Sequence, residues 1–329
     1  MTAIAPTLEA FFTDRLANQR QASPHTVTAY RDTFKLLLAF AQRRTGTAPS
    51  GLGFERLDAA TVAAFLNHLE HDRGNSVRTR NTRLAAVHSF YRYAALHHPE
   101  HAALIARVLA IPAKRFDRAD VSFLNQQEID ALLGAVDRSH WIGRRDHTLL
   151  TLAIQTGLRV SELTGLRCQD LHLGNGANVR CLGKGRKARC TPLTAHTVAV
   201  VQVWIKERNA QPTDPLFPTS RGTPISRDAV ALLVGKYTGI ARTTCSSLQT
   251  KTVSPHVLRH TAAMALVRGG VETTVIALWL GHETTRTTDI YIHADLALKE
   301  RAMARTTPPA TPPGRYRPPD TLLAFLDNL

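Results

Sequence analysis

Arg159 follows a glycine-bearing turn in Gln155-Thr-Gly-Leu-Arg159-Val-Ser-Glu162-Leu and opens a helical pattern whose Val160, Leu163 and Leu166 face inward. A guanidinium there lies beside the unpaired N–H groups of a helix start, a place suited to an anion. A surface salt bridge is the plainer alternative. Ser254-Pro255-His256-Val-Leu-Arg259-His260 opens another helix, and His256 and Arg259, three apart, share one face of it. A buried, satisfied histidine is the ordinary explanation of that pattern. Leu280-Gly281-His282 ends a helix carrying Val275, Ile276, Leu278 and Trp279 at a glycine C-cap. Tyr291 follows in Thr288-Asp-Ile-Tyr291-Ile-His-Ala-Asp295, either a phenol that acts or a core aromatic on an amphipathic helix. Lys184 stands in the basic run Gly183-Lys184-Gly185-Arg186-Lys187. Guanidiniums grip oxyanions, imidazoles pass protons near neutral pH, and a deprotonated phenol is a nucleophile. Each signal is weak alone.

The elements that must hold these residues are mostly helices. Residues 1–112 read as almost entirely helical, with Phe11, Phe12 and Leu16 on one face of a first helix. Ser23-Pro24 is an N-cap with proline at the first helical position, and Val27, Tyr30, Phe34, Leu37, Leu38 and Phe40 follow at helical spacing. Asp58 opens a third helix with Val62, Phe65, Leu66 and Leu69, and a fourth runs from about Ser76 with Leu84, Val87, Phe90, Tyr91 and Ala94. The opening turns of that fourth helix carry Arg78, Arg80 and Arg83, either a solvated face or a set of contacts to a nucleic-acid backbone. Ile111 to Asp120 is charged and contains proline, so it reads as a linker.

A second, mainly helical domain begins at Val121, with Asn125 as cap to Glu128–Val136. Asn178 to Leu182 and Ala188 to Leu193 flank the Lys184 turn and read as a β-hairpin. Helices resume over Ala199–Glu207, Arg227–Tyr237 and Pro255–Arg268, while the aperiodic stretch Thr238–Thr252 reads as a loop. Thr306 to Pro319 holds six prolines and excludes helix. Beyond it, Leu322, Leu323, Phe325, Leu326 and Leu329 make a short amphipathic helix.

Length and composition fit this reading: 329 residues, 43% apolar and 20% charged, match a globular chain of about two domains. No apolar stretch is long enough to span a bilayer, and Met1 to Pro6 lacks the basic start and apolar run of a signal peptide. Four cysteines without a CxxC pair exclude a disulfide framework, and Cys168, His172, Cys181 and Cys190 lack the spacing of a zinc site. A cytoplasmic protein of a reducing compartment is expected. The net charge is +15, with 33 arginines against 8 lysines, so the excess takes the form that binds phosphates bidentately. Residues 1–112 carry 13 cations and 8 acids (+5), leaving 28 and 18 (+10) for the rest, so both halves suit one polyanion.

Taken in order, TGLRVSEL, GKGRK, HVLRHT, LGH and YIHAD on a basic helical scaffold resemble the tyrosine recombinase (phage integrase) family. The resemblance covers nearly the whole chain and includes Xer-type recombinases and integrases of mobile elements. It implies a mainly α fold with a small β-hairpin, in which an N-terminal SAM-like core-binding domain (1–112) and a catalytic domain (121–305) are joined by a linker (113–120) and clamp duplex DNA. It further implies that Arg159, Lys184, His256, Arg259 and His282 activate a phosphodiester and that Tyr291 is the nucleophile, with Glu162 supporting the first arginine. Two guanidiniums would neutralise the non-bridging oxygens and stabilise a pentavalent transition state. A phenol is only about 0.1% ionised at neutral pH, so a base, His256, must help it. Lys184, or Lys187 three residues on, would protonate the leaving 5′-oxygen, and His282 would hydrogen-bond the phosphate or position Tyr291.

That chemistry needs neither metal nor nucleotide, so no cofactor is expected. The implied partners are double-stranded DNA with a specific recombination site and further copies of the chain in a tetrameric synapse, with sister recombinases as an option. The 38 residues after Tyr291 exceed a short tail, and 306–329 could dock on a neighbouring protomer or pack back on its own domain. They favour a mobile-element integrase over an Xer-type resolver of chromosome dimers, while the intact ordered set of motifs argues against an inactive DNA-binding accessory protein.

Overall fold

The computed structural model describes residues 3–116, 121–183, 188–281, 288 and 291. The chain forms two compact units, Met1–Ala119 and Asp120–Leu329. Lys184, Lys187, His282 and the segment 306–329 lie outside the described residues.

In the first unit, α1 (Ile4–Ala10) runs directly into a π-helical stretch, Phe11–Gln19. There the Arg20 N–H bonds the carbonyl five residues back, on Arg15, at 3.0 Å. That wider turn places Phe11 and Leu16, five apart, on one fully buried face. Helices α2 (Pro24–Thr45), α3 (Ala59–His71), α4 (Val77–His97) and α5 (Ala102–Leu109) follow. Side chains of Ser23, Asp58 and Ser76 cap the first three of these, accepting from the N–H groups of Thr26, Thr61 and Thr79. Phe11 is the hub of the core, with ring centroids 5.5 Å from Phe90, 5.7 Å from Tyr93 and 6.3 Å from Phe34.

Arg78, Arg80 and Arg83, read as either a solvated face or a set of contacts to a nucleic-acid backbone, do not share one environment. Arg80 is buried, and its guanidinium donates to the Pro112 carbonyl (3.1 Å) and the Asn81 side chain (3.0 Å). Asn81 in turn holds the Lys114 carbonyl at 2.8 Å. A guanidinium committed to tying down the chain beyond α5 is not offered to a phosphate. Arg83 is half-buried, and burial lowers its pKa; Arg78 is exposed.

The second unit starts with α6 (Gln126–Gly134), where Asn125 and Glu128 form a reciprocal capping box. Then come α7 (Trp141–Thr156), α8 (Val160–Gly165) and an antiparallel sheet of order β1-β2-β3, built from Leu171–His172, Asn178–Leu182 and Ala188–Pro192. The hairpin register pairs Cys181 with Arg189. Helices α9 (Ala195–Glu207), α10 (Arg227–Ala241), α11 (Pro255–Arg268) and α12 (Thr273–Leu280) complete the described part. Leu149, Leu150 and Leu152 of α7, Trp204 of α9 and Leu258 of α11 sit in one core. Each such side chain contributes roughly 1.5–3 kcal/mol by leaving water.

Thr238–Thr252 is not a plain loop. Helix α10 continues through Ala241, and Ser246–Thr250 forms a 3-10 turn. Polar anchors hold it in place of apolar periodicity: Arg242 donates to the Leu248 and Lys251 carbonyls. Ser247 and Lys251 both reach the buried Glu128 carboxylate at 2.7 Å. Among the described residues, no helix is long and apolar enough to cross a membrane.

Candidate active site

Helix α7 ends at Gly157, whose φ of +64° is the left-handed conformation of a C-cap. A Cβ there would stand 2.8 Å from Leu280 Cδ2 and 3.0 Å from Ala262 Cβ, so glycine also allows the close approach of α11 and α12. Two residues on, Arg159 is the N-cap of α8. Glu162, one turn into that helix, accepts the Arg159 backbone N–H on Oε2 at 2.7 Å and the Arg159 Nη1 on Oε1 at 2.9 Å. The guanidinium is thereby turned across the helix start, and its Nη2 donates to the Gly281 carbonyl at 2.7 Å. Its side chain retains 32% exposure, open to an incoming anion.

Arg259 lies in the second turn of α11 and is buried. It donates to the carbonyls of Gly157 (2.6 Å) and Leu280 (2.7 Å). Burial, and then the positive charge of Arg159, pull its pKa down to about 10, which leaves it protonated at neutral pH. Neither arginine spends all its donors on these partners. Together they form a cationic pair able to bind an oxyanion from two directions.

Tyr291 is 1% exposed, packed with Ala263, Met264, Val267, Ile276 and Leu280. Its hydroxyl lies 2.9 Å from Nδ1 of His260, and the His256 ring stands edge-on to His260 with centroids 4.2 Å apart. Burial raises the Tyr291 pKa; the charges of Arg259 and Arg159 act against that rise. His260 is pushed down to about 4 by burial, then by His256 and Arg259, so it is neutral at physiological pH.

Arg159, Arg259 and Tyr291 are therefore brought to one region, with His256 one ring away, while Lys184 and His282 fall outside the described residues. Two neighbours escaped the sequence reading. His260 is one: its four-residue spacing from His256 places both on one helical face. Arg189 is the other. It donates through Nη1 and Nη2 to both Glu162 oxygens (2.8 and 2.7 Å) and through Nε to the Trp279 carbonyl (3.1 Å). Its signal was a lone cation in the inward register of β3, opposite the buried Cys181. Burial alone would raise the Glu162 pKa; Arg189 foremost, then the Arg159 N–H and guanidinium, overcome it and hold the carboxylate below its usual range. Among the described residues, no group of three or more His, Cys, Asp or Glu side chains is placed to hold a metal ion.

The phage integrase family profile matches residues 122–297, and the profile of the phage integrase N-terminal SAM-like domain matches residues 10–98. The chain is 54% identical to an integrase/recombinase of Sinorhizobium fredii, over 99% of this chain and 98% of that one. It is 33% identical to the tyrosine recombinase XerC of Pelobacter propionicus, over 85% of this chain and 88% of that one. The fold is shared with the XerH site-specific recombinase (TM-score 0.68, 22% identity, 87% of this chain and 81% of that one). It is shared also with the Tn1549 transposon integrase (TM-score 0.70, 16% identity, 92% and 99%). With an SAM-like unit, a catalytic unit and the ordered arginine, histidine and tyrosine motifs in one chain, this protein belongs to the phage integrase family of tyrosine recombinases.

Proposed function

We propose that the protein cuts and rejoins duplex DNA at a specific site, through a 3′-phosphotyrosyl link at Tyr291, on behalf of a mobile element. The observation that carries this reading is the placement of Arg159 and Arg259 on adjacent carbonyls of one helix end, with Tyr291 in the same buried cluster as Leu280 of that end. The 54% identity to an integrase/recombinase, against 33% to XerC, supports element mobility over dimer resolution.

In the proposed reaction the phosphate enters between the two guanidiniums, which offset its charge and the further charge of the pentavalent state. The Tyr291 oxygen attacks phosphorus and the bond to the 5′-oxygen breaks. The phenol leaves its hydrogen bond with His260 and passes its proton to His256, and Lys184, or Lys187 in its place, gives a proton to the leaving oxygen. His282 holds the phosphate or the tyrosine. The phosphotyrosyl bond conserves the energy of the broken one, so a 5′-hydroxyl can reverse the step without ATP or a metal.

Residues 1–112 are assigned to core binding of DNA, 113–120 to the linker, 121–305 to catalysis and 306–329 to a docking tail. XerH is described bound to a palindromic difH substrate, and a lambda integrase dimer bound to a core site. By analogy, the working state of this protein is an oligomer, a tetrameric synapse on double-stranded DNA, open to sister recombinases, in the cytoplasm.

The test is trapping on nicked duplexes tiled across the DNA flanking the gene, with chelator present. A covalent adduct formed by the wild type and lost in Tyr291→Phe is expected. Adduct retained in that variant overturns the assignment.

A further inference from the structure

Three consecutive carbonyls at the end of α12 are each taken by a different arginine. Trp279 accepts from Arg189, Leu280 from Arg259 and Gly281 from Arg159. These carbonyls are the unpaired acceptors at the negative end of a helix, where cations are favoured. Arg159 and Arg259 are the phosphate-binding pair of the proposed reaction. Arg189 does a different job: its side chain is 11% exposed and its fork closes on Glu162.

We propose that Arg189 is a positioning residue for the phosphate-binding site. It bridges the Glu162 carboxylate to the end of α12, so that Arg159 is locked in its binding orientation before any substrate arrives. The ring closes through named bonds: Arg159 to Glu162, Glu162 to Arg189, Arg189 to Trp279, and Gly281 back to Arg159. The first link lies within α8, and the other three cross from α8 to β3, from β3 to α12 and from α12 back to α8. Without Arg189, the hydrogen bonds left to Glu162 among the described residues are those within its own short helix, and that helix keeps a hydrogen bond to α12 through Arg159 alone. Gly281 belongs to the same construction, because a Cβ there would lie 2.7 Å from Arg189 Nη1 and 3.1 Å from its guanidinium carbon. A lysine cannot replace the fork, since one ammonium cannot meet both carboxylate oxygens in plane and the Trp279 carbonyl.

The inference rests on the proposed roles of Arg159 and Arg259, and its test is separable from them. Side-chain NMR of [15N]arginine-labelled full-length protein reads the orientation lock without DNA. The Arg159 guanidinium, assigned by its loss in Arg159→Lys, is expected to show hindered rotation in the wild type and free rotation in Arg189→Met. Arg189→Lys, which keeps the charge, serves if the Met variant fails to fold, and it too is expected to release Arg159. A wild-type Arg159 signal in either folded variant overturns the proposal, whether or not any DNA substrate has been found.

On a nicked duplex that traps the wild type, Arg189→Met should form adduct roughly 10²-fold more slowly, the scale for loss of one preorganised donor. Binding of the same duplex should change by less than about 3-fold. The double variant Glu162→Gln/Arg189→Met should be no slower than the slower single one, because both break one ring. Full additivity of the two losses, or parallel losses of binding and rate, would count against positioning. A wild type that traps no duplex would fault the recombinase reading and leave the NMR result to decide the role of Arg189.

Discussion

Tyr291 and His260 define what the site is at rest. The phenol is buried, raised in pKa and hydrogen-bonded to an imidazole that is itself neutral. Because the aromatic body of Tyr291 supplies most of its packing, Tyr291→Phe should fold normally and lose about 1 kcal/mol, the worth of one hydrogen bond. Differential scanning calorimetry checks this, and a loss above about 3 kcal/mol would show that the hydroxyl holds more of the fold than that bond. The depressed His260 also leaves a signature in stability. Its pKa is about 4 folded against 6.5 unfolded. The unfolded chain therefore takes up the proton first. Stability is fully present above pH 6.5, is lost as pH falls from 6.5 towards 4, and falls no further from this group below that. His88 and His147, lowered chiefly by burial, act in the same direction, whereas carboxylates such as Glu162 contribute only below their ordinary value of 4.5. His260→Asn should thus flatten the pH dependence of unfolding between 6.5 and 4 while leaving the limb below 4.5, and an unchanged slope would refute the assignment. Arg159, Arg259 and Tyr291 are nameable as candidates from the sequence because they lie in the ordered motifs that carry the family resemblance, each local signal being weak alone. His260 and Arg189 are not, because what gives them meaning lies 31 and 27 residues away.

Among the elements, helix ends carry the site. The C-terminus of α12 holds three guanidiniums, and its glycine is needed twice over: for a φ of +65° and for room beside Arg189. Gly281→Ala should therefore cost about 1–2 kcal/mol in backbone strain and also push Arg189 from its seat. Its adduct rate is expected to fall by more than that stability loss accounts for, with the Arg159 NMR signal released as in Arg189→Met. A variant that loses stability alone would place Gly281 in the fold and not in the site. The starts of α2, α3, α4 and α6 were readable because Ser23, Asp58, Ser76 and Asn125 are local caps, each meeting an N–H three residues on, whereas α9 begins at Ala195, four residues before the Ala199 expected. The exceptions have physical reasons. The π-helical stretch breaks the 3.6-residue period that the Phe11, Phe12 and Leu16 pattern assumed, and the two-residue β1 is too short to alternate. Ser246–Thr250 is held by Arg242, Lys251 and Glu128, through polar contacts that leave no hydrophobic period to read.

At the scale of the whole molecule, net charge is the governing quantity. The chain carries +15, split as +5 over residues 1–112 and +10 over the rest, so neither unit alone accounts for the excess. Part of that charge is already spent inside: Arg80 holds the Pro112 carbonyl, Arg145 lies against Asp146, and Arg189 closes on Glu162. Counting arginines therefore overstates the charge a polyanion can meet, and the burial of Arg80 shows that position on a basic helix is no guide to it. The cations that face outward should still dominate affinity. Each phosphate neutralised releases condensed counterions, so the slope of log K against log salt is about −0.9 per phosphate contacted. If both units meet the same duplex, the slope should be steeper than about −5, and it should be nearly the same for a duplex from the gene-flanking DNA and for one of unrelated sequence, because phosphate contacts carry no sequence. Arg78→Gln, an exposed position, should make the slope shallower by about 1 if that side chain meets a phosphate, whereas Arg80→Gln should destabilise the first unit and leave the slope of the folded protein unchanged. Fluorescence anisotropy over a salt series measures all of these. A wild-type slope shallower than about −2 would mean that the excess charge lies away from DNA and serves another purpose.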